Sequence, residues 1–483
     1  MAPASETIAA IATARGRAAL AIVRASGPEA VAVVDRCFPS KALEAANSHT
    51  AHVGYFTTPD GDRIDQVVVT LFRAPRSATG EDVVEVSCHG GDVAPQLVLQ
   101  ALLDGGARLA RPGEFTERAF LHGKLDLAQA EAVADLIHAQ SSLAHRVSLN
   151  HLQGRYSDAV AEIRQELLQT CALVELELDF AEEDVEFADK ARLEALLART
   201  DSLLERLLGT YRLGTLVRDG VRVVIGGRPN AGKSTLLNAL VGRDRAIVSP
   251  VPGTTRDEIE AEVEIGGLSF RFVDTAGLRE TEDLIEAEGV RRTRSAIARA
   301  DALLYLFDVS LGLDREEEAW LERFTVKHGL ADSGAASHAS GRRPDEESLS
   351  HLPILLVANK HDVTDAPPER PHVPLPTLPL SAERAASAPS LLDDLRSWLV
   401  EAVLDDLASS EATPIVVNQR HRQHFARALD AVRSAQQALA FGGGGDTLAL
   451  DLRAALHELG AITGEITNED VLGTIFSQFC IGK

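Results

Sequence analysis

The segment Gly227-Arg228-Pro229-Asn230-Ala231-Gly232-Lys233-Ser234 constrains this chain most, because its chemistry demands one local fold. It fits the pattern G-x-x-x-x-G-K-[ST], whose glycines let backbone N–H groups close around phosphate oxygens at a helix start. The flanks suit that geometry. Val221 to Ile225 reads as a short buried strand, and Thr235 to Leu240 as the opening of a helix. Asn230, Ala231, Gly232, Lys233, Ser234 and Thr235 are then placed around a nucleotide's phosphates. Lys233 is expected to reach the β- and γ-phosphates, and the Ser234 hydroxyl to ligate Mg2+.

Four further elements follow in order. Gly253-Thr254-Thr255-Arg256-Asp257 occupies a switch-loop position, with Thr255 as a Mg2+ ligand. Asp274-Thr275-Ala276-Gly277 follows the apolar run Leu268 to Val273; Asp274 is expected to hold Mg2+ through water, and the Gly277 N–H to meet the γ-phosphate. Asn359-Lys360-His361-Asp362 follows Ile354 to Ala358, and the Asp362 carboxylate accepts from N1–H and the 2-amino group of guanine, which adenine does not offer. Ser381-Ala382 falls where a guanine-contacting loop belongs. Each short element alone is usually a turn; the order and spacing of all five predict a GTPase. Leu278 stands where Ras-like enzymes place a water-orienting glutamine, so that function must come from elsewhere. Glu280, Glu282, Asp283, Glu286 and Glu288 lie just beyond, each either a water-positioning group or a solvated helix-face charge. Asn230 either ligates a monovalent cation beside the phosphates or merely suits the loop backbone.

The 483 residues suggest about three domains. An α+β N-terminal domain is expected over 1–122, from strand-like runs such as Ile8 to Ala12 and Val67 to Phe72. Leu125, Gln129, Val133 and Ile137 start a helical texture, continued by Leu193, Leu197 and Leu204, over 123–218. An α/β P-loop (Ras-like) GTPase domain over 219–403 is inserted before the helical period resumes over 404–483. Lys327–Ser350 and Pro367–Pro379 read as surface excursions, and Gly442 to Gly445 as a break between two helices. A formal charge of −24 excludes a broad electrostatic hold on nucleic acid as the main binding mode. Four scattered cysteines suggest neither a disulfide framework nor a metal site. With no leader-like N-terminus and no long apolar run, a cytoplasmic protein without a membrane span is expected.

These GTPase motifs, with Asp274 to Glu280, resemble those of the MnmE (TrmE) tRNA-modification GTPases. The resemblance continues in Ala21 to Gly27, Thr79 to Glu85, Cys88-His89-Gly90-Gly91, Arg111 to Leu121, Gly123 to Leu127 and the terminal Phe479-Cys480-Ile481-Gly482-Lys483. It covers essentially the whole chain apart from Lys327–Ser350. It implies a K+-dependent GTPase whose G domains meet across a homodimer and hydrolyse GTP without an arginine finger. Asn230, Ser249, Val251 and Thr254 would face K+; Ser234 and Thr255 would face Mg2+; Pro250, Pro252 and Gly253 would join the GTP contacts; and Glu286 would position water. It further implies a 5-formyltetrahydrofolate (or related folate) site at Arg24, Glu85, Lys124 and Lys483. The implied partner is the FAD-dependent MnmG subunit, in a heterotetramer that holds tRNA largely through that partner and builds an aminomethyl-type group on C5 of the wobble uridine. Ala18, Ala19, Ala78, His122 and Glu383 depart from the family pattern. On the residues alone, Arg24 is more a strand-end ion-pair partner than a folate ligand, and Cys480 more a packing group than a nucleophile. A ribosome-assembly GTPase and a folate enzyme regulated by GTP are the competing readings.

Overall fold

Alternation at period two shapes the N-terminal part. In Arg63–Phe72, Val67, Val69 and Leu71 are buried while the alternating neighbours Gln66 and Val68 are exposed. The computed structural model describes residues 6–179, 190–242, 261–274, 296–325, 352–363, 372–404, 415–441, 445–467, 469–477 and 479–483. Six strands, β1 (Ile8–Ile11), β2 (Leu20–Ser26), β3 (Thr50–Thr57), β4 (Arg63–Phe72), β5 (Val83–His89) and β6 (Arg108–Leu109), form a sheet of order β3-β4-β5-β2-β1-β6. Its neighbours run antiparallel except β1 and β6. Helices Ala30–Arg36 and Ala94–Asp104 bring Val33, Val34, Val98 and Leu102 into one core with Val23, Val69 and Val86 of the sheet.

The chain divides into two compact units: 1–138, 148–209 and 419–483 form one, and 139–147 with 210–418 form the other. The first unit joins the N-terminal sheet to long helices, Arg155–Asp179, Lys190–Gly209, Gln419–Ala440 and Gly445–Thr463. Leu193, Leu197, Thr200 and Leu204 are buried along one stripe of their helix, as helical spacing requires. A helix ends at Ala440 and the next begins at Gly445; Gly442 to Gly444 of the expected break lie outside the described residues.

In the second unit, β7 (Val221–Gly227), β8 (Ala261–Ile265), β9 (Leu268–Asp274), β10 (Ala302–Asp308), β11 (Ile354–Asn359) and β12 (Thr377–Pro379) form a sheet of order β12-β11-β10-β7-β9-β8. Only the β8–β9 pair is antiparallel. Both faces are covered, so β10 and β11 are apolar throughout rather than alternating. Leu304, Leu306, Leu355 and Val357 enter one core, while Leu303, Tyr305, Ile354 and Leu356 enter the other. The Pro367–Pro379 stretch departs from expectation at its end. Thr377–Pro379 pairs with β11, and a proline is tolerated there because β12 ends the described sheet. Lys327–Ser350 lies outside the described residues.

The helical core of the first unit holds a polar knot. Glu131 Oε2 lies 2.8 Å from His421 Nε2, and Arg420 Nε donates to Glu131 Oε1 at 2.7 Å. Arg420 also donates to the carbonyls of Ala461 and Ile462, both at 2.9 Å. Tyr156 stacks on His421 and leans on His151, with ring centroids 4.9 and 4.8 Å apart. Burial would raise the Glu131 carboxyl, but His421 and Arg420 outweigh it and hold it at about 2. Burial, with the nearby His421, pushes the His151 imidazole down to about 4 against the opposing pull of Glu131. His151 is thus neutral when folded, and the unfolded chain binds its proton first. Its contribution to stability is full above pH 6.5 and is lost as pH falls through about 4. The conformational stability measured by urea unfolding should fall by on the order of 3 kcal/mol across that window. In His151→Phe, which keeps the ring contact, this part of the pH dependence should vanish; an unchanged slope contradicts the assignment.

Candidate functional site

Parallel strands deliver the nucleotide motifs to one end of the second sheet. The phosphate loop leaves the end of β7, Asn359 closes β11, and Ser381-Ala382 follows β12. Asn359 is almost wholly buried, 2% exposed. Its Nδ2 donates to the Ala231 carbonyl at 2.7 Å, and its Oδ1 accepts from the Ala382 amide at 2.9 Å. One side chain therefore ties the phosphate loop to the loop expected to meet guanine. Gly232 lies against it with φ 98°, and a Cβ there would sit 2.1 Å from Asn359 Nδ2, so only glycine fits.

Lys233 is buried at the start of the helix Lys233–Val241 and donates from Nζ to the carbonyls of Gly227 and Arg228, both at 2.9 Å. Its ammonium is thereby held inside the loop. Ser234 and Thr235 are exposed on the first helical turn, where amides and macrodipole favour an anion. The exposed Ser234 hydroxyl beside that turn fits a Mg2+ ligand. Asn230 is exposed and left-handed, φ 64°, which leaves its amide accessible and fits a cation ligand. Asp274 ends β9 opposite Ile225 of β7, two residues before the first loop glycine.

At the end expected to read the base, Lys360 Nζ pairs with Asp308 Oδ2 at 2.8 Å. Burial opposes ionisation of Asp308, but Lys360 and Ser310 outweigh it and hold that carboxyl below its ordinary range. The Ser381 hydroxyl, helped by backbone N–H, likewise holds the Asp362 carboxyl low, as an acceptor for guanine must be. Ser381 also caps the helix Ala382–Ser387 by accepting from Arg384 N. Ser249, Pro250, Val251, Pro252, Gly253, Thr254, Thr255, Thr275, Ala276, Gly277, Leu278 and Glu286 lie outside the described residues.

In the first unit, Arg24 and Glu85 face each other across β2 and β5 and pair directly, with Nε and NH2 of Arg24 at 2.9 and 2.8 Å from Glu85 Oε1. The Arg24 guanidinium lies 5.7 Å from the centre of the Phe115 ring, and Phe115 N donates to the Lys483 carbonyl at 3.2 Å. Arg24 and Lys483 therefore both lie beside Phe115, with Glu85 paired to Arg24. Both charged side chains of the pair keep about a fifth of their surface exposed, which fits a ligand that bears carboxylate and N–H groups. Lys124 instead donates to the Pro75 carbonyl at 3.1 Å, near Gly80. His122 holds the Thr79 carbonyl at 2.9 Å, and the exposed Ala78 precedes it.

Motif residues with no assigned role prove structural. Glu114 accepts from Arg108 NH2 at 2.6 Å and from Arg118 NH2 at 3.1 Å, and Arg118 NH1 donates to Glu81 at 2.8 Å. Burial works against the Glu114 charge, but Arg108 and Arg118 hold its carboxyl at about 2. The terminus packs alongside: Gly482 has φ 97°, and a Cβ on it would lie 2.3 Å from the Ile11 carbonyl. Cys480 is exposed, whereas burial pushes the Cys88 thiol up to about 11, which leaves it unreactive at neutral pH. His89 Nδ1 is 2.7 Å from Asp65 Oδ1, and among the described residues no group of three or more His, Cys, Asp or Glu is placed to hold a metal. Nor is any described helix long and apolar enough to cross a membrane.

Comparison with known proteins agrees with both units. Residues 7–124 match the family model "GTP-binding protein TrmE N-terminus", and residues 127–480 match "MnmE helical domain". The tRNA modification GTPase MnmE of Salinibacter ruber is 61% identical over 99% of both chains. Those of Christiangramia forsetii and Chlorobium luteolum are 41% and 44% identical, over 99% of this chain and 99% and 97% of theirs. The chain is a GTPase and belongs to the tRNA modification GTPase MnmE family.

Proposed function

We propose that this chain is a K+-stimulated GTPase which, with an FAD-dependent MnmG partner, installs an aminomethyl or carboxymethylaminomethyl group on C5 of the tRNA wobble uridine. Family membership along the whole chain carries this reading, since the relatives share the N-terminal part as well as the nucleotide motifs. GTP hydrolysis drives opening and closing of paired G domains in a homodimer. The one-carbon unit comes from a tetrahydrofolate held by Arg24, Glu85, Lys124 and Lys483. The reaction takes place in the cytoplasm, with tRNA held largely by the partner.

Within the GTPase site, Lys233 neutralises phosphate charge, the helix amides orient the phosphates, and Asp362 reads the base. Ser234 and Thr255 would hold Mg2+, and Asn230, Ser249, Val251 and Thr254 would hold K+. Such cations supply positive charge where charge builds on the transferring phosphoryl group. Asp274, Thr275, Ala276 and Gly277 complete the phosphate end, and Asn359, Lys360, Ser381 and Ala382 the guanine end. Glu286 orients the attacking water, the task that Leu278 lacks the polar atoms to perform.

Reconstitution of the purified chain with the flavoprotein partner, a folate one-carbon donor and unmodified tRNA tests the whole reading. The C5 group should form only with GTP present; formation without this chain overturns it. In Asp362→Asn, GTP affinity should fall on the order of 100-fold while xanthosine triphosphate gains, because a carboxylate acceptor pair is lost. Equal GTP binding by the variant contradicts the base assignment. Replacing K+ by Na+ at constant ionic strength should lower GTP turnover about tenfold or more. Glu286→Ala should depress turnover at nearly unchanged GTP affinity. Turnover indifferent to either change removes the corresponding role.

A further inference from the structure

Arg228 sits within the phosphate loop, yet none of the roles above uses its side chain. Its guanidinium NH2 lies 2.6 Å from Glu317 Oε2 and 2.5 Å from Asp314 Oδ2. Both acids are themselves fixed. Asp314 Oδ1 accepts from the amide of Glu317 at 2.8 Å, and Glu317 Oε2 accepts from the amide of Asp314 at 2.9 Å, a reciprocal box that starts the helix Arg315–Thr325. The other Glu317 oxygen accepts from the Tyr305 hydroxyl of β10 at 2.8 Å. The Glu317 side chain is only 10% exposed, so this pair is screened less than a surface salt bridge. At its main chain, Arg228 presents a carbonyl that accepts from Lys233 Nζ. One residue thus joins the phosphate-binding ammonium to a rigid helix start and a core strand.

We infer that Arg228, clamped by Glu317 and Asp314, is a positioning residue for Lys233: it sets the carbonyl pair from which the ammonium is presented to the nucleotide phosphates. Without the clamp the Gly227–Arg228 carbonyls lose their anchor, and the ammonium loses its defined position. The inference rests on the reading of this loop as the GTP site and adds a tether to it. The clamp acts on binding through Lys233 alone, so its effect depends on that side chain being present. A residue that merely stabilises the fold would act regardless of Lys233.

The test is a double-mutant cycle on the full-length protein, read as affinity for a fluorescent GTP analogue, with thermal melting as the control. Wild type against Lys233→Ala establishes that the loop binds GTP; without that difference the functional reading itself fails. Given it, Arg228→Ala should weaken binding about tenfold in the wild-type background and less than about twofold in the Lys233→Ala background. Arg228→Lys, which keeps a cation facing Glu317, should restore most of the affinity. Should Arg228→Ala not fold, Glu317→Gln carries the same test, with a loss of about threefold that again disappears without Lys233. An equal loss in both backgrounds, or no loss in either, overturns the inference.

Discussion

The nucleotide half of this protein depends on one buried amide. Asn359 donates to the phosphate loop through Ala231 and accepts from the Ser381-Ala382 loop through Ala382, so a single side chain sets the spacing between the loops proposed to hold phosphates and guanine. Such a doubly satisfied amide in an apolar setting is favourable only with both partners in place, because either one missing leaves a buried polar atom unpaired. The requirement propagates. Gly232 must lack a side chain because Asn359 occupies the space, and its left-handed backbone lets the helix start at Lys233. The parallel order of β12, β11, β10 and β7 then brings together segments that are far apart in sequence.

The first unit is organised by charge rather than by one amide. Glu114, Arg118 and Glu81 form a buried network, joined by the half-exposed Arg108, that pins the helix Glu114–Leu121 beside β1 and β6. Against that helix lies the C-terminal segment, bridged at Pro112 and Ile481. The C-terminal segment thereby also meets the end of β1, where Gly482 lies against the Ile11 carbonyl. Phe115 lies between the C-terminus and the Arg24–Glu85 pair: its amide donates to the Lys483 carbonyl, and its ring faces the Arg24 guanidinium.

The fold was legible where physics is local. Strand, glycine loop and helix follow each other without a break at Val221–Val241, and the stripe of Leu193, Leu197 and Leu204 shows its period directly. Strand β12 escaped notice because three residues in a proline-rich stretch are too few to display alternation. The clamp on Arg228 is not legible locally, because its partner Glu317 lies 89 residues further on. The histidines of the helical core, His151 and His421, carry no spacing that announces their shared contact with Tyr156. For Arg24, the residues left a ligand role and an ion pair open; the structure supplies the ion pair with Glu85 and leaves the pair partly exposed.

We propose that two units with different internal logic, one carrying the nucleotide motifs and one the charged Arg24–Glu85 pair, serve a single reaction on tRNA. Nucleoside analysis of tRNA from a strain deleted for this gene tests that union most directly. The account predicts loss of the C5 group from the wobble uridine, restored by the wild-type gene but not by Lys233→Ala or Arg24→Ala. Wobble uridines that keep their C5 group in the deletion strain would contradict it.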